Sequence, residues 1–237
     1  MTRCFCKSGN IPWMDRLSAT SITVWSARLD KPSQQVERYL TLLSLEERTR
    51  AERYRLVQHR QRFIAARGQL RLLLSQYIEQ PPETITIDYN EHGKPYLVDS
   101  RLQFNLAHVN DEMLCAFTWD YTVGIDIEDT RREVEIMTVA RLFFAADEVI
   151  QLEAQSPDTQ RLAFFDLWTR KESYLKARGT GLKFDRHSTS VPAGGKSFLS
   201  PDGTHWSILS FSHAPHMRAA LVTSAPTLSM SLRTFDG

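Results

Sequence analysis

The sequence predicts an α+β protein built from two similar halves, each a long helix with a set of antiparallel strands. Three observations predict it. Two long segments, 46–80 and 158–177, carry apolar residues at helical spacing. Short segments in which apolar and polar residues alternate with period two follow each of them, bounded by Gly, Pro, Asn and Asp. No Pro/Gly/Ser-rich linker parts the two groups, so the halves are expected to share an interface. The expected organisation is a loose leader over 1–20, a first half over 21–119 and a second over 120–237.

Taken in order, Ser21 to Leu29 alternates and reads as a strand. Ser44-Leu45-Glu46-Glu47 is a capping box, with Ser44 as N-cap and Glu47 at the third helical position. It opens an arginine-rich segment to about Gln80, one helix or two in series, with an apolar stripe of Phe63, Ala66, Leu70, Leu73, Leu74 and Tyr77. Pro81-Pro82 stops it. Strands are expected at Thr84–Tyr89 and Tyr96–Val98, joined by the turn Asn90 to Pro95. Phe104–His108 is extended, and Met113–Trp119 and Val123–Glu128 are strands. Helices follow around Ile136–Phe144 and from Ala146, before the long apolar helix of about Asp158 to Ala177 that Gly179 ends. Further strands are expected at Phe184–Val191, Trp206–Phe211, Met217–Thr223 and Leu228–Leu232.

Composition narrows the function. The 29 basic and 28 acidic residues leave a formal charge of +1, so the chain carries no overall footprint for nucleic acid or an anionic membrane. No apolar run approaches the roughly 20 residues of a membrane helix. Residues 1–10 lack the apolar core of a secretory signal. The cysteines are Cys4, Cys6 and Cys115, and Cys-x-Cys without a second pair is not a zinc spacing. Reduced cysteines and a cytoplasmic location are the expectation.

The chemistry concentrates in two places. In Gly124-Ile125-Asp126-Ile127-Glu128, period two points Ile125 and Ile127 into a core and Asp126 and Glu128 together to the other face. Two carboxylates on one face suit either a wet edge strand or a bound cation, and hard oxygen ligands select Mg²⁺ or Ca²⁺. In Trp168-Thr169-Arg170-Lys171-Glu172-Ser173-Tyr174-Leu175-Lys176, Lys171, Glu172 and Lys176 lie inside an apolar helix. Glu172 and Lys176 share a face at i,i+4, either as a surface ion pair or as groups carried into a site. Lysines beside a Mg²⁺–phosphate complex would offset phosphate charge. Trp168 and Leu175 are expected to pack this helix on the second sheet.

These two stretches, 40 residues apart, resemble the signature pair of 4′-phosphopantetheinyl transferases, (V/I)G(V/I)D(I/L)E and F-x-x-x-W-(T/S)-x-K-E-(S/A)-(Y/F)-x-K, with Phe164 as the leading Phe. Arg141-Leu142-Phe143-Phe144 with Glu148, Gly93-Lys94-Pro95, Phe104-Asn105-Leu106-Ala107-His108, Arg53-Tyr54 and Arg67-Gly68 resemble further blocks of that family, in order, over about residues 44 to 182. The chain is similar to its Sfp-type branch, monomers of two halves related by a pseudo-twofold.

The resemblance implies a reaction and roles. The phosphopantetheine arm of coenzyme A would pass to a serine of an apo acyl or peptidyl carrier protein, with release of 3′,5′-ADP. Asp126, Glu128 and Glu172 would hold Mg²⁺ against the coenzyme A diphosphate. Lys176 would pair with that diphosphate, with Lys171 beside it. His108 and the backbone of Asn105, Leu106 and Ala107 would meet coenzyme A phosphates. Arg50 and Lys94, with the Gly93 turn, would hold the 3′-phosphate and adenine end. Glu172, or a metal-polarised water beside it, would take the serine proton. Ala107 stands where the family usually has Ser, which implies one lost hydroxyl donor to a phosphate. The alternatives are a Mg²⁺-dependent nucleotide hydrolase, although the chain has no P-loop, and a non-catalytic relative that only binds coenzyme A or carrier protein.

Overall fold

The computed structural model describes residues 21–180 and 189–237. The expected leader, with Cys4 and Cys6, and most of the strand expected at Phe184–Val191 lie outside the described residues. Thr189–Val191 is not in a strand.

The described residues form four layers, helix, sheet, sheet and helix. The first sheet has the order β10-β1-β5-β4, from β1 (Ser21–Arg28), β4 (Leu102–Val109), β5 (Glu112–Trp119) and β10 (Ser229–Thr234). The second has the order β6-β9-β8-β7, from β6 (Val123–Asp129), β7 (Ser197–Leu199), β8 (His205–Ala214) and β9 (Met217–Thr223). A hairpin of β2 (Ile87–Tyr89) and β3 (Pro95–Leu97) stands apart. All pairings are antiparallel except β1 with β10, which is parallel and runs from Ser21 opposite Ser229 to Ser26 opposite Thr234.

Each strand set buries two faces, which its sequence anticipates. Ile22, Val24, Leu114 and Ala116 of the first sheet pack against Val123, Ile125, Ile127 and Leu221 of the second, so one core lies between the sheets. On the outer face of the first sheet, Leu70, Leu73 and Leu74 of α3 (Val57–Ile78) meet Trp25, Phe104, Cys115 and Phe117. On the outer face of the second, Tyr174, Leu175 and Ala177 of α6 (Pro157–Arg178) meet Trp206, Ile208 and Val222. The halves therefore share an apolar core and are not separately closed.

The arginine-rich segment is two helices in series, α2 (Leu45–Glu52) and α3, parted at Arg53–Leu56. Ser44 caps α2 as expected, its hydroxyl accepting from the Glu47 N–H while Glu47 accepts from the Ser44 N–H. Glu47 also accepts from Arg71 Nε at 2.7 Å, and Arg71 donates on to the carbonyls of Pro82 and Ile85, which locks α2 to α3 and its exit. Glu79 closes α3 in the left-handed region at φ 54°, just before the two prolines. Leu175, as expected, packs on the second sheet. Trp168 meets that sheet through a hydrogen bond to Glu128, and the rest of its ring packs among Phe143, Phe144 and Phe164, at the end of α4 (Ile136–Phe143).

Two features depart from the expected order. A helix absent from the sequence reading, α1 (Ser33–Leu42), follows β1 and buries Val36 and Tyr39. Its apolar stripe is short, and Pro32 rather than a capping side chain precedes it. The boundary of the second half at 237 also does not hold for the sheet. Residues 229–234 pair with β1, so the last described strand completes the first sheet. The parallel pairing, which no hairpin can make, explains why adjacency in sequence does not reveal it.

Candidate active site

The site is built where α6 crosses β6. Gly124 makes the crossing close. A Cβ there would lie 2.0 Å from the Ser173 carbonyl oxygen and 2.4 Å from the Ala177 nitrogen, so only a glycine lets the helix backbone rest on the strand. Ser173 Oγ fixes the contact by donating to the Ala220 carbonyl at 2.7 Å. Close packing at Gly124 brings the last turns of α6 beside Asp126 and Glu128.

Lys176 Nζ donates to Asp126 Oδ1 at 2.7 Å and to the Ile125 carbonyl at 3.1 Å. The second oxygen of Asp126, Oδ2, is buried with no hydrogen-bond partner among the described residues. Burial pushes the Asp126 carboxyl up, against the pull of Lys176. Burial and the neighbouring Asp126 also push Glu128 up, opposed by Arg132 and by a hydrogen bond from Trp168. Arg132 Nη1 stands 3.7 Å from Glu128 Oε2. A cation between the two carboxylates would relieve both effects. Among the described residues no three Asp, Glu, His or Cys side chains are drawn together as a formed metal cluster. The orphaned Oδ2 and the like-charged pair nevertheless suit a hard divalent ion.

One cavity adjoins this crossing and shares Leu106 of β4 with a second. The first, of about 720 Å³, is lined by the turn His92-Gly93-Lys94, by Asn105, and by Glu172 and Lys176 of α6. The other, of about 400 Å³, is lined by Arg50, His59, Arg62, Arg67 and His108. Its basic wall is organised on one ring, with the guanidiniums of Arg50 and Arg67 lying 5.5 and 5.6 Å from the centre of Phe63. The Arg67 Nη1 is buried with no hydrogen-bond partner among the described residues. Part of the His108 ring is open to solvent. The packing around the rest, with Lys176 and Arg67, lowers its pKa. The sequence alone gives Arg67 no role. Its signal is the Arg67-Gly68 pair, because Gly68 lets Tyr39 of α1 pack within 2.4 Å of where a Cβ would be.

The side chains of three expected site residues are placed otherwise. Lys171 does not face the Asp126 side. Its ammonium is buried, donating to Glu148 Oε2 at 2.5 Å and to the Thr189 carbonyl at 3.1 Å, and Glu148 in turn accepts from the Ala145 and Val191 N–H groups. Ala107 points its methyl into the core between the sheets, so its side-chain position is not the phosphate contact that the family serine implied. Lys94 lines the larger cavity, but its ammonium donates to the carbonyls of Val123 and Ala177, each at 3.1 Å. Burial lowers the Lys94 pKa to about 8. Because the unfolded lysine releases its proton near 10.5 and the native one near 8, the unfolded state binds more protons in between. The Lys94 contribution to stability therefore rises from about pH 8 to about pH 10.5. Urea titrations at the two ends of this window should show wild type gaining on Lys94→Met as pH rises.

The family model described as "4′-phosphopantetheinyl transferase superfamily" matches residues 122–222, and "4′-phosphopantetheinyl transferase, N-terminal" matches 28–118. Similar proteins include 4′-phosphopantetheinyl transferase HetI of Nostoc sp. (strain PCC 7120), 36% identical over 170 residues, which are 70% of this chain and 72% of HetI. The chain belongs to the 4′-phosphopantetheinyl transferase superfamily.

Other members similar to this transferase are Sfp of Bacillus subtilis (strain 168), 30% identical across 81% of this chain and 83% of Sfp. AcpT of Escherichia coli (strain K12) is 32% identical across 71% of this chain and 76% of AcpT. The transferase has the two-halved α+β fold that the two family models imply, and they meet in the turn between β5 and β6. Among its described residues no helix is long and apolar enough to cross a membrane.

Proposed function

We propose that this transferase moves the phosphopantetheine arm of coenzyme A to a serine of an apo acyl or peptidyl carrier protein, as a cytoplasmic monomer. The observation that supports this reading best is the Lys176–Asp126 pair with an unpartnered carboxylate oxygen, set between a basic cavity and a cavity bordered by Glu172. Both halves contribute residues to this region, which supports a monomer. The buried thiol of Cys115 suits a reducing compartment.

In this reading Arg50, Arg67 and His108 receive the 3′-phosphate end of coenzyme A, the His92–Gly93 backbone borders the adenine, and Lys176 neutralises the diphosphate. Asp126, Glu128 and Glu172 would hold Mg²⁺, which when bound withdraws charge from the diphosphate oxygens. The carrier serine oxygen bonds to the β-phosphorus as the bond from that phosphorus to the bridging oxygen breaks, and 3′,5′-ADP leaves with that electron pair. Glu172 accepts the serine proton. Phosphoryl transfer asks the protein mainly for alignment and charge neutralisation, which a helix packed directly on a strand at Gly124 supplies.

The test is to incubate the protein with coenzyme A, Mg²⁺ and each of several apo carrier proteins, and to weigh the carriers by mass spectrometry. A gain of one phosphopantetheine on the carrier serine is expected. Nucleotide breakdown without carrier modification would identify a hydrolase, and coenzyme A affinity without either product a binding protein.

A further inference from the structure

β6 is an edge strand, hydrogen-bonded only to β9 in its sheet. The opposite edge of β6 presents backbone groups that no strand satisfies, and buried groups of this kind need partners. Three side chains close its Val123–Ile125 stretch. Lys94 Nζ donates to the Val123 carbonyl at 3.1 Å, Asn105 Oδ1 accepts from the Ile125 N–H at 2.9 Å, and Lys176 Nζ donates to the Ile125 carbonyl at 3.1 Å. Two of the three, Lys94 and Asn105, come from the first half.

The same turn reaches the end of α6. Lys94 also donates to the Ala177 carbonyl, and Asn90 Nδ2 donates to the Gly179 carbonyl at 2.8 Å. Asn90 Oδ1 holds the turn itself by accepting from the His92 and Lys94 N–H groups. Gly179 sits at φ 70°, and a Cβ there would lie 3.0 Å from Asn90 Nδ2, so the helix end and the turn are in direct contact. Among the described residues no carboxylate pairs with Lys94. Its ammonium is spent on two backbone carbonyls, one on the strand of Asp126 and one on the helix turn of Lys176.

We infer that Lys94 and Asn105 are positioning residues: from the first half they close the open edge of β6 and set the strand of Asp126 and Glu128 in register with the helix end that carries Lys176. Lys94 then serves the reaction through Val123 and Ala177 and does not hold a coenzyme A phosphate. The inference rests on the proposed transfer reaction for its kinetic part and on backbone protection alone for its structural part.

The test compares wild type with Lys94→Met, which keeps the aliphatic stem and loses the donors. Without substrate, hydrogen exchange is followed by mass spectrometry in peptides covering β6. With apo carrier, coenzyme A and 3′-dephospho-coenzyme A are compared at a temperature where both proteins are folded. Lys94→Met should exchange faster in β6 while β1 and β5 keep their protection. Its kcat should fall on the order of 10- to 100-fold, as small misplacements of reacting groups do. The KM for coenzyme A should stay near wild type, and the kcat/KM preference for coenzyme A over the dephospho form should be unchanged. Unaltered exchange in β6, or loss of that preference, would overturn the inference and return Lys94 to the phosphate. If Lys94→Met does not fold, Asn105→Ala carries the same comparison with the same expected outcomes. A wild type that modifies no carrier would defeat the transferase reading, and the exchange experiment would still decide the edge contacts.

Discussion

Glu172→Gln is expected to lower phosphopantetheine transfer by about 10²- to 10⁴-fold, the range that removing a general base produces. The side chain is partly exposed on the cavity wall, and the change keeps its shape. Thermal unfolding should therefore move little, and coenzyme A binding, followed by calorimetry, should survive, because the basic residues around Phe63 are untouched. Loss of rate with retained binding is the pattern of an interaction made chiefly in the transition state. An unchanged kcat would remove Glu172 from both proposed roles, proton acceptor and metal ligand.

Gly124→Ala is expected to cost both fold and activity. The added methyl would meet the Ser173 carbonyl and the Ala177 backbone nitrogen well inside contact distance, and neither is the far end of a flexible side chain. Either α6 lifts from β6 or the strand bends away. Overpacking of this kind costs typically about 1–3 kcal/mol, sometimes more, read as a lower urea midpoint. The activity loss should exceed what the remaining folded fraction accounts for, because the displaced helix carries Glu172 and Lys176. A variant with a lowered midpoint but wild-type kcat would show that the helix–strand spacing is not what aligns the site.

The sequence made legible what depends on local pattern. Strand patterning located β1, β5, β6 and β9, and the capping box at Ser44 located the start of α2. Period two correctly divides β6 into a core face with Ile125 and Ile127 and a second face with Asp126 and Glu128. What stayed hidden depends on partners far along the chain. Lys171 and Lys176 look equivalent in sequence, yet five helical positions turn them about 140° apart at 3.6 residues per turn. One reaches Glu148 and the other Asp126. The family resemblance sends Lys94 to a coenzyme A phosphate, because nothing in Gly93-Lys94-Pro95 reveals the carbonyls of Val123 and Ala177. Arg67 is one of many arginines until Phe63 and Tyr89 give its guanidinium two aromatic faces. Ala107 shows the limit of position-by-position transfer from a family, since its strand turns that side chain inward.

The parallel seating of β10 on β1 sets an order of events for the newborn chain. β1 is among the first described strands to be made, and β10 is the last. Until residues 229–234 have been synthesised, one side of β1 stays open, although β5 can already pair with the other. The apolar face that the first sheet turns towards Val123, Ile125 and Leu221 must likewise wait for the second. A nascent first half would thus expose both a strand edge and a greasy surface, the features that invite aggregation and chaperone capture. Maturation of this molecule is consequently a closing of the first sheet by residues 229–234, and the two halves reach their native form together.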